Sequence, residues 1–163
     1  MSQFVSGFVG RAIYLDTMMP YALLRGIDPA AKAFFARIER GEIIAHTSVL
    51  TFDELAYRLL LALIKDRYSG SPLDRLRAEE SKLIAEFAPA VTAQLSLLQS
   101  FPNINIVDVT AADLDVMNNV MAKHHVRPRD ALHFAAMQRL ECFDLASNDH
   151  HFDQIPNVRR FAL

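Results

Sequence analysis

Ala12-Ile13-Tyr14-Leu15-Asp16-Thr17 is the stretch on which the fold turns: four apolar residues run directly into an acid and a hydroxyl. An apolar run this short, without polar alternation, has the pattern of a strand covered on both faces, as in a parallel sheet. Helical pattern follows at once over Thr17–Leu24. The same alternation continues outward. Asp28 is placed to cap a helix over Pro29–Arg40, with Pro at its first position, and Gly41 ends it. Ile43–His46 is a second strand and Ser48–Arg67 a long helix, apolar over most of its circumference. Ile104–Val107 and Phe143–Ala146 are further strands, and Arg159–Ala162 a fifth. Thr110 is expected to cap a helix through Lys123, and Asp130–Leu140 is the last helix. Strands alternating with helices predict an α/β protein with a parallel sheet of four to five strands and helices on both faces.

The chain has 163 residues, 52% of them apolar, which suits one domain, 1–163, with a sizeable core and argues against disorder. Net charge is −2 and the pI about 6.3, which is not the composition of a protein that coats nucleic acid non-specifically. Cys142 is the only cysteine, so no internal disulfide forms and a cytoplasmic location is expected. No signal peptide and no membrane span are expected.

Ser69-Gly70-Ser71 interrupts the chain, and Ser71 with Pro72 and Asp74 reads as the start of another helix running to about Ser100. Leu73, Leu76, Leu83, Ile84, Phe87, Val91, Leu95 and Leu98 form its apolar stripe, and Pro89 is expected to kink or divide it. Residues 69–102 are therefore read as a helical insertion lying antiparallel to the helix at 48–67. The apolar surface left over on this pair predicts a homodimer, with further area for a partner's helix.

Asp16, Glu54, Asp130 and Asp149 are acids 38, 76 and 19 residues apart, so only the fold can bring them together. Asp16 and Asp149 follow strands, where ligands bind in open parallel sheets. Each has an ordinary reading: Asp16 as a helix cap, Asp130 as an acid in the first turn of its helix, Asp149 as part of a turn. Glu54 sits among Leu50, Tyr57 and Leu61 and needs a cation or donors, for which Arg58 is one turn away. Its neighbour Asp53 competes for the same role, and periodicity does not choose between them. Asp153 is read as the cap of a short turn. The six histidines do not form a zinc signature: HExxH and cysteine pairs are lacking, and the adjacent pairs His124-His125 and His150-His151 are expected to point apart. His133, one turn after Asp130, reads as a polar core residue or a support for a ligand.

Four segments in order resemble the PIN domain family, and within it the VapC-type toxins of bacterial and archaeal toxin–antitoxin pairs. They are Ala12–Thr17, Thr47-Ser48 leading to Glu54-Leu55, Arg129–Ala136 (RDALHFAA), and Leu145–Phe152 (LASNDHHF). The resemblance implies a three-layer α/β/α sandwich and an endoribonuclease dependent on Mg²⁺ or Mn²⁺, with an antitoxin protein as possible partner. It places Asp16, Glu54, Asp130 and Asp149 as catalytic and metal-holding residues, choosing Glu54 over Asp53 because the family's acid directly precedes a Leu. Arg127, Arg129 and Ser147 are expected at the RNA substrate, with Arg159-Arg160 as weaker candidates. The sequence departs from the pattern at His151, where many relatives carry a further Asp.

The chemistry needs such residues. Phosphodiester hydrolysis develops negative charge on phosphoryl and leaving-group oxygens, which hard divalent cations on carboxylates offset. Without metal, two carboxylates about 5 Å apart repel by roughly 3 kcal/mol at an effective dielectric near 20. Two rival readings are a PIN-like binding module that no longer cuts, against which all four acids are present, and a haloacid-dehalogenase-like phosphatase. The latter wants a second Asp two residues after the strand-end acid, where this chain has Met18.

Overall fold

The strand that ends in Asp16 lies in the middle of the sheet. In the computed structural model, which describes residues 3–163, the strands are β1 (Gln3–Phe4), β2 (Ala12–Leu15), β3 (Ile44–Ser48), β4 (Ile104–Val107), β5 (Asp144–Ala146) and β6 (Arg159–Ala162). All pair in parallel in the order β1-β6-β5-β2-β3-β4. The sheet thus has six strands, not four to five. The addition, β1, is two residues long at the edge, too short for a period to register.

Seven helices cover it: α1 (Met18–Arg25), α2 (Pro29–Glu39), α3 (Val49–Arg67), α4 (Pro72–Ala78), α5 (Glu80–Gln99), α6 (Asp113–His124) and α7 (Pro128–Arg139). The pleat of β2 sorts the two cores. Ile13 and Leu15 pack with Met19, Phe34, Phe35, Ile38, Leu55, Leu59 and Val91, from α1, α2, α3 and α5. Tyr14 points the other way, to Val120, Ala131, Ala136 and Met137 of α6 and α7.

Local signals hold at several boundaries. Asp28 accepts from the amide of Ala30 at 2.8 Å, and Ser71 from that of Asp74 at 3.3 Å. Gly41 has φ 75°, the left-handed turn that stops α2. Thr110 does not cap directly; its amide donates to Asp113 at 2.7 Å, and α6 starts there. The helix after Ser71 breaks at Glu79 (φ −131°, ψ 36°) rather than at Pro89. Glu79 is held there by Arg75 at 3.1 Å and Lys82 at 2.6 Å. Pro89 lies on the exposed side of α5 and the helix runs through it. No helix among the described residues is long and apolar enough to cross a membrane.

The strand order contains a reversal. From β2 the chain moves out through β3 and β4, then returns to β5 on the other side of β2. Such a switch point opens a crevice beyond the strands' carboxyl ends. Asp16 follows β2, and Ser147 through Asp149 follow β5, so both borders of the crevice end in the acids singled out above.

Candidate active site

A cleft of about 440 Å³ occupies this crevice, lined by Asp16, Met18, Glu54, Arg58, Arg127, Pro128, Arg129, Asp130 and Asp149. All four predicted acids therefore meet in one place, brought by β2, α3, α7 and the turn after β5.

Hydrogen bonds fix three of them individually, Asp16, Glu54 and Asp149. Asp16 is buried, 8% exposed. One carboxylate oxygen accepts the amide of adjacent Thr17 at 2.6 Å and the other the hydroxyl of Ser147 at 2.7 Å. It does not reach the amides inside α1, so it is not that helix's side-chain cap. Ser147 Oγ also accepts the amide of Asp149 at 3.0 Å, tying β2 to the turn after β5. Ser147 is fully buried with its hydroxyl engaged on both sides. It thus positions the Asp16 carboxylate and the backbone of Asp149, where a contact to substrate was expected of it. Thr17, to which the sequence assigned no role, donates its hydroxyl to Glu54 Oε2 at 2.7 Å. Its place directly after the strand-end acid is the signal that marks it.

Glu54 and Asp53 part company. The Glu54 side chain is 10% exposed in the cleft and that of Asp53 74%. Arg129 lies between them, Nε 3.1 Å from Glu54 Oε1 and Nη2 3.6 Å from Asp53. Arg58, the expected partner of Glu54, instead donates to Met18 Sδ at 3.3 Å. Beneath Glu54 lies His133, 1% exposed, with Nε2 3.4 Å from Glu54 Oε1 and Nδ1 3.0 Å from the hydroxyl of Tyr14. His133 is thus a buried support under the cleft floor.

Asp149 does cap its turn, accepting the amide of His151 at 2.9 Å and bonding His151 Nδ1 at 2.6 Å. Arg127 stands 3.9 Å away. With its ring held by Asp149, His151 stacks on His150, centroids 4.5 Å apart, although neighbours were expected to diverge. Arg159 and Arg160 are not free for a phosphate: Arg159 pairs with Asp144 at 2.7 Å and Arg160 with Asp153 at 2.8 Å. Asp153 accordingly serves as that partner, not as a cap.

The electrostatics divide the acids. Burial acts to raise the Glu54 carboxyl, but the His133 imidazole beside it, the Thr17 hydroxyl and the charge of Arg129 outweigh it and hold the group below its ordinary value. Asp149 behaves likewise, burial being overcome by its bonds to His151 and by Arg127. Asp130 goes the other way: burial, then the charges of Asp149 and Asp16, push it up.

The donor set fits a divalent cation. Asp130 Oδ2 and Glu54 Oε1 are buried without a hydrogen bond, the nearby Arg129 and His133 nitrogens being poorly aligned on the latter. Buried carboxylate oxygens lacking donors are costly unless a cation joins them. Ligand atoms of Asp16, Glu54 and His133 all lie within 4.8 Å of one another, as do those of Asp149, His150 and His151.

Comparison with known proteins bears on the family and the fold. A family model described as PIN domain matches residues 13–158. No curated protein matches the sequence. Among solved structures, the chain is similar to VapBC2 from Rickettsia felis bound to a DNA fragment from their promoter (12% identity, TM-score 0.62, 93% of this chain and 98% of that one). It is also similar to VapC20 of Mycobacterium tuberculosis, a Sarcin-Ricin loop cleaving toxin (19%, 0.57, 86% and 92%), and to a toxin-antitoxin complex from Klebsiella pneumoniae (14%, 0.51, 93% and 95%). At these identities the likeness is one of fold.

Proposed function

The chain belongs to the PIN domain family, and on that premise we propose that it is an endoribonuclease that hydrolyses RNA phosphodiester bonds with a divalent metal, Mg²⁺ or Mn²⁺, held by Asp16, Glu54, Asp130 and Asp149. The observation that carries this reading is the cleft at the sheet's switch point, where Asp130 faces two like charges with a buried oxygen that no donor satisfies. A set of helix caps has no reason to converge in that way.

A divalent cation bound there would supply positive charge to the phosphoryl oxygens and make a water more acidic. The protein's own residues supply order. Ser147 fixes Asp16, Thr17 fixes Glu54 and His151 fixes Asp149, so three of the carboxylates are oriented before any ligand arrives. Preorganised charge of this kind needs no rearrangement as the reaction proceeds. Arg127 and Arg129, with side chains 66% and 55% exposed at the rim, are suited to the phosphates on either side of the scissile bond.

The biological role in this reading is the toxin of a toxin–antitoxin pair, supported by the complexes among its structural neighbours. The 69–102 segment would be a helical insertion within one 1–163 domain. Between α3 and α5 runs an apolar groove of about 320 Å³, lined by Ala56, Tyr57, Leu60, Ile84, Ala88 and Leu95 among others. Tyr57 and Ile84 are 48% and 43% exposed. Such a groove suits a second copy of the chain or an antitoxin helix.

Purified protein is expected to cleave single-stranded RNA with Mg²⁺ or Mn²⁺ and to stop in EDTA. Undiminished cleavage in EDTA would rule this mechanism out.

A further inference from the structure

A second cleft, of about 380 Å³, opens beside the acidic one, with Tyr21, Arg25, Arg58, Lys65, Asp66 and Pro72 on its walls. Arg58 lines both clefts, so its side chain lies between them and can reach a ligand in either. We propose that this second cleft is the track along which single-stranded RNA leaves the acidic cleft, with Arg58 and Lys65 on successive phosphates and Tyr21 under a base. The inference rests on the nuclease reading above.

Charge is the first ground. Asp66 is the one acid in the cleft, and Arg25 meets it at 2.7 Å. Among the described residues Arg58 and Lys65 form no ion pair, and the Arg58 bond is to a thioether sulfur, a weak acceptor. A phosphate is a far better partner, since its ionised oxygens can accept two N–H bonds from the guanidinium fork. In a chain of net charge −2, unmatched cations beside a four-acid cleft favour a polyanion there.

Spacing is the second ground. Glu54, Arg58, Leu61 and Lys65 follow at four-, three- and four-residue steps on one face of α3. From Glu54 to Lys65 the helix rises about 16 Å at ~1.5 Å per residue, a length that several nucleotides of a single strand can follow. Tyr21 and Arg25, one turn apart on α1, form the facing wall. Cations tracking the backbone with an aromatic surface for bases is how single strands are held without sequence preference.

The test is fluorescence anisotropy of a labelled twelve-nucleotide single-stranded RNA, in Ca²⁺ to slow turnover. Wild type is compared with Arg58→Ala, Lys65→Ala and Lys32→Ala, the last an exposed residue of α2 outside both clefts. Arg58→Ala and Lys65→Ala are each expected to weaken binding about 5- to 10-fold and to lower the salt slope by about 0.7, one phosphate contact on a single strand. On a trinucleotide, too short to reach the far end of α3, Lys65→Ala should cost less than about twofold. Unchanged binding by Lys65→Ala, equal loss on both lengths, or loss only toward a Glu-rich peptide would overturn the track. RNA bound along it but never cut in Mg²⁺ would sink the nuclease reading alone, whereas RNA cut with Lys65→Ala indifferent would sink the track alone.

Discussion

Helix α3 borders two depressions of opposite chemistry. Toward the sheet's switch point it contributes Glu54 to a cleft of carboxylates and arginines; toward α5 it contributes Ala56, Tyr57 and Leu60 to an apolar groove. Asp53 and Glu54 are adjacent acids that fall on different sides of this divide. Glu54 is enclosed and held by Thr17, with Arg129 and His133 close by; Asp53 stands at the groove's edge, three-quarters exposed. A carboxylate's role here comes from what encloses it, since residue type and sequence position are nearly shared. The acidic cleft is rigidly networked and suited to charge, whereas the groove is open, apolar and suited to a protein surface.

The largest expected effect lies in the cleft. Asp16→Asn keeps the shape that meets Thr17 and Ser147 but removes a charged ligand, and should lower RNA cleavage by at least about 100-fold with the melting temperature little changed. Retained activity would break the assignment. The adjacent pair sharpens it: Glu54→Gln should lose activity to a similar degree, while Asp53→Asn should stay within about threefold, as expected of an exposed group outside the first coordination sphere. The reverse result would place the functional face of α3 one residue away.

The groove is tested by assembly. Wild type is expected to scatter light as a dimer, twice the 18.4 kDa chain. Ala88→Glu, which sets a charge in the apolar groove, should give a monomer that still cleaves RNA. A wild-type monomer would remove the dimer and leave the nuclease reading intact.

The smallest effect concerns stability without metal. Asp130 is raised above its ordinary 3.8 by burial and by Asp149 and Asp16. A carboxyl with a raised folded-state value favours folding fully below its unfolded value and loses that contribution as pH climbs through the folded one. At pH 7 in EDTA the charged Asp130 is therefore a liability, and Asp130→Asn should melt roughly 2–4 °C higher. The gap should close as pH falls through the carboxylate range and the wild-type group takes up its proton. A lower melting temperature for the variant would contradict the crowding of charge.

Much of the frame was legible because it is local. The β2 run, the Asp28 and Ser71 caps, the Gly41 stop and the helix read over Asp130–Leu140, which begins two residues earlier at Pro128, follow from neighbouring residues, and the acids at strand ends follow from how parallel sheets bind ligands. What the sequence hid is long-range or very short. Arg129, not Arg58, approaches Glu54, and helical spacing cannot reveal a partner from another helix. The Tyr14–His133 contact under the cleft spans 119 residues. Residues β1 and the break at Glu79 escaped notice because two residues have no period and because ion pairs, not proline, set the kink. Only the resemblance separated Glu54 from Asp53, since α3 is flanked by apolar side chains on both sides.

The central claim is that four distant carboxylates form one divalent-metal site, and titration of Mn²⁺ into the metal-free protein, read by electron paramagnetic resonance, tests it without reference to RNA. Wild type should bind Mn²⁺, Mg²⁺ should compete for the same site, and Asp16→Asn and Asp130→Asn should each weaken binding about 10-fold or more. Affinity unchanged in both variants, or no binding by wild type, would contradict it.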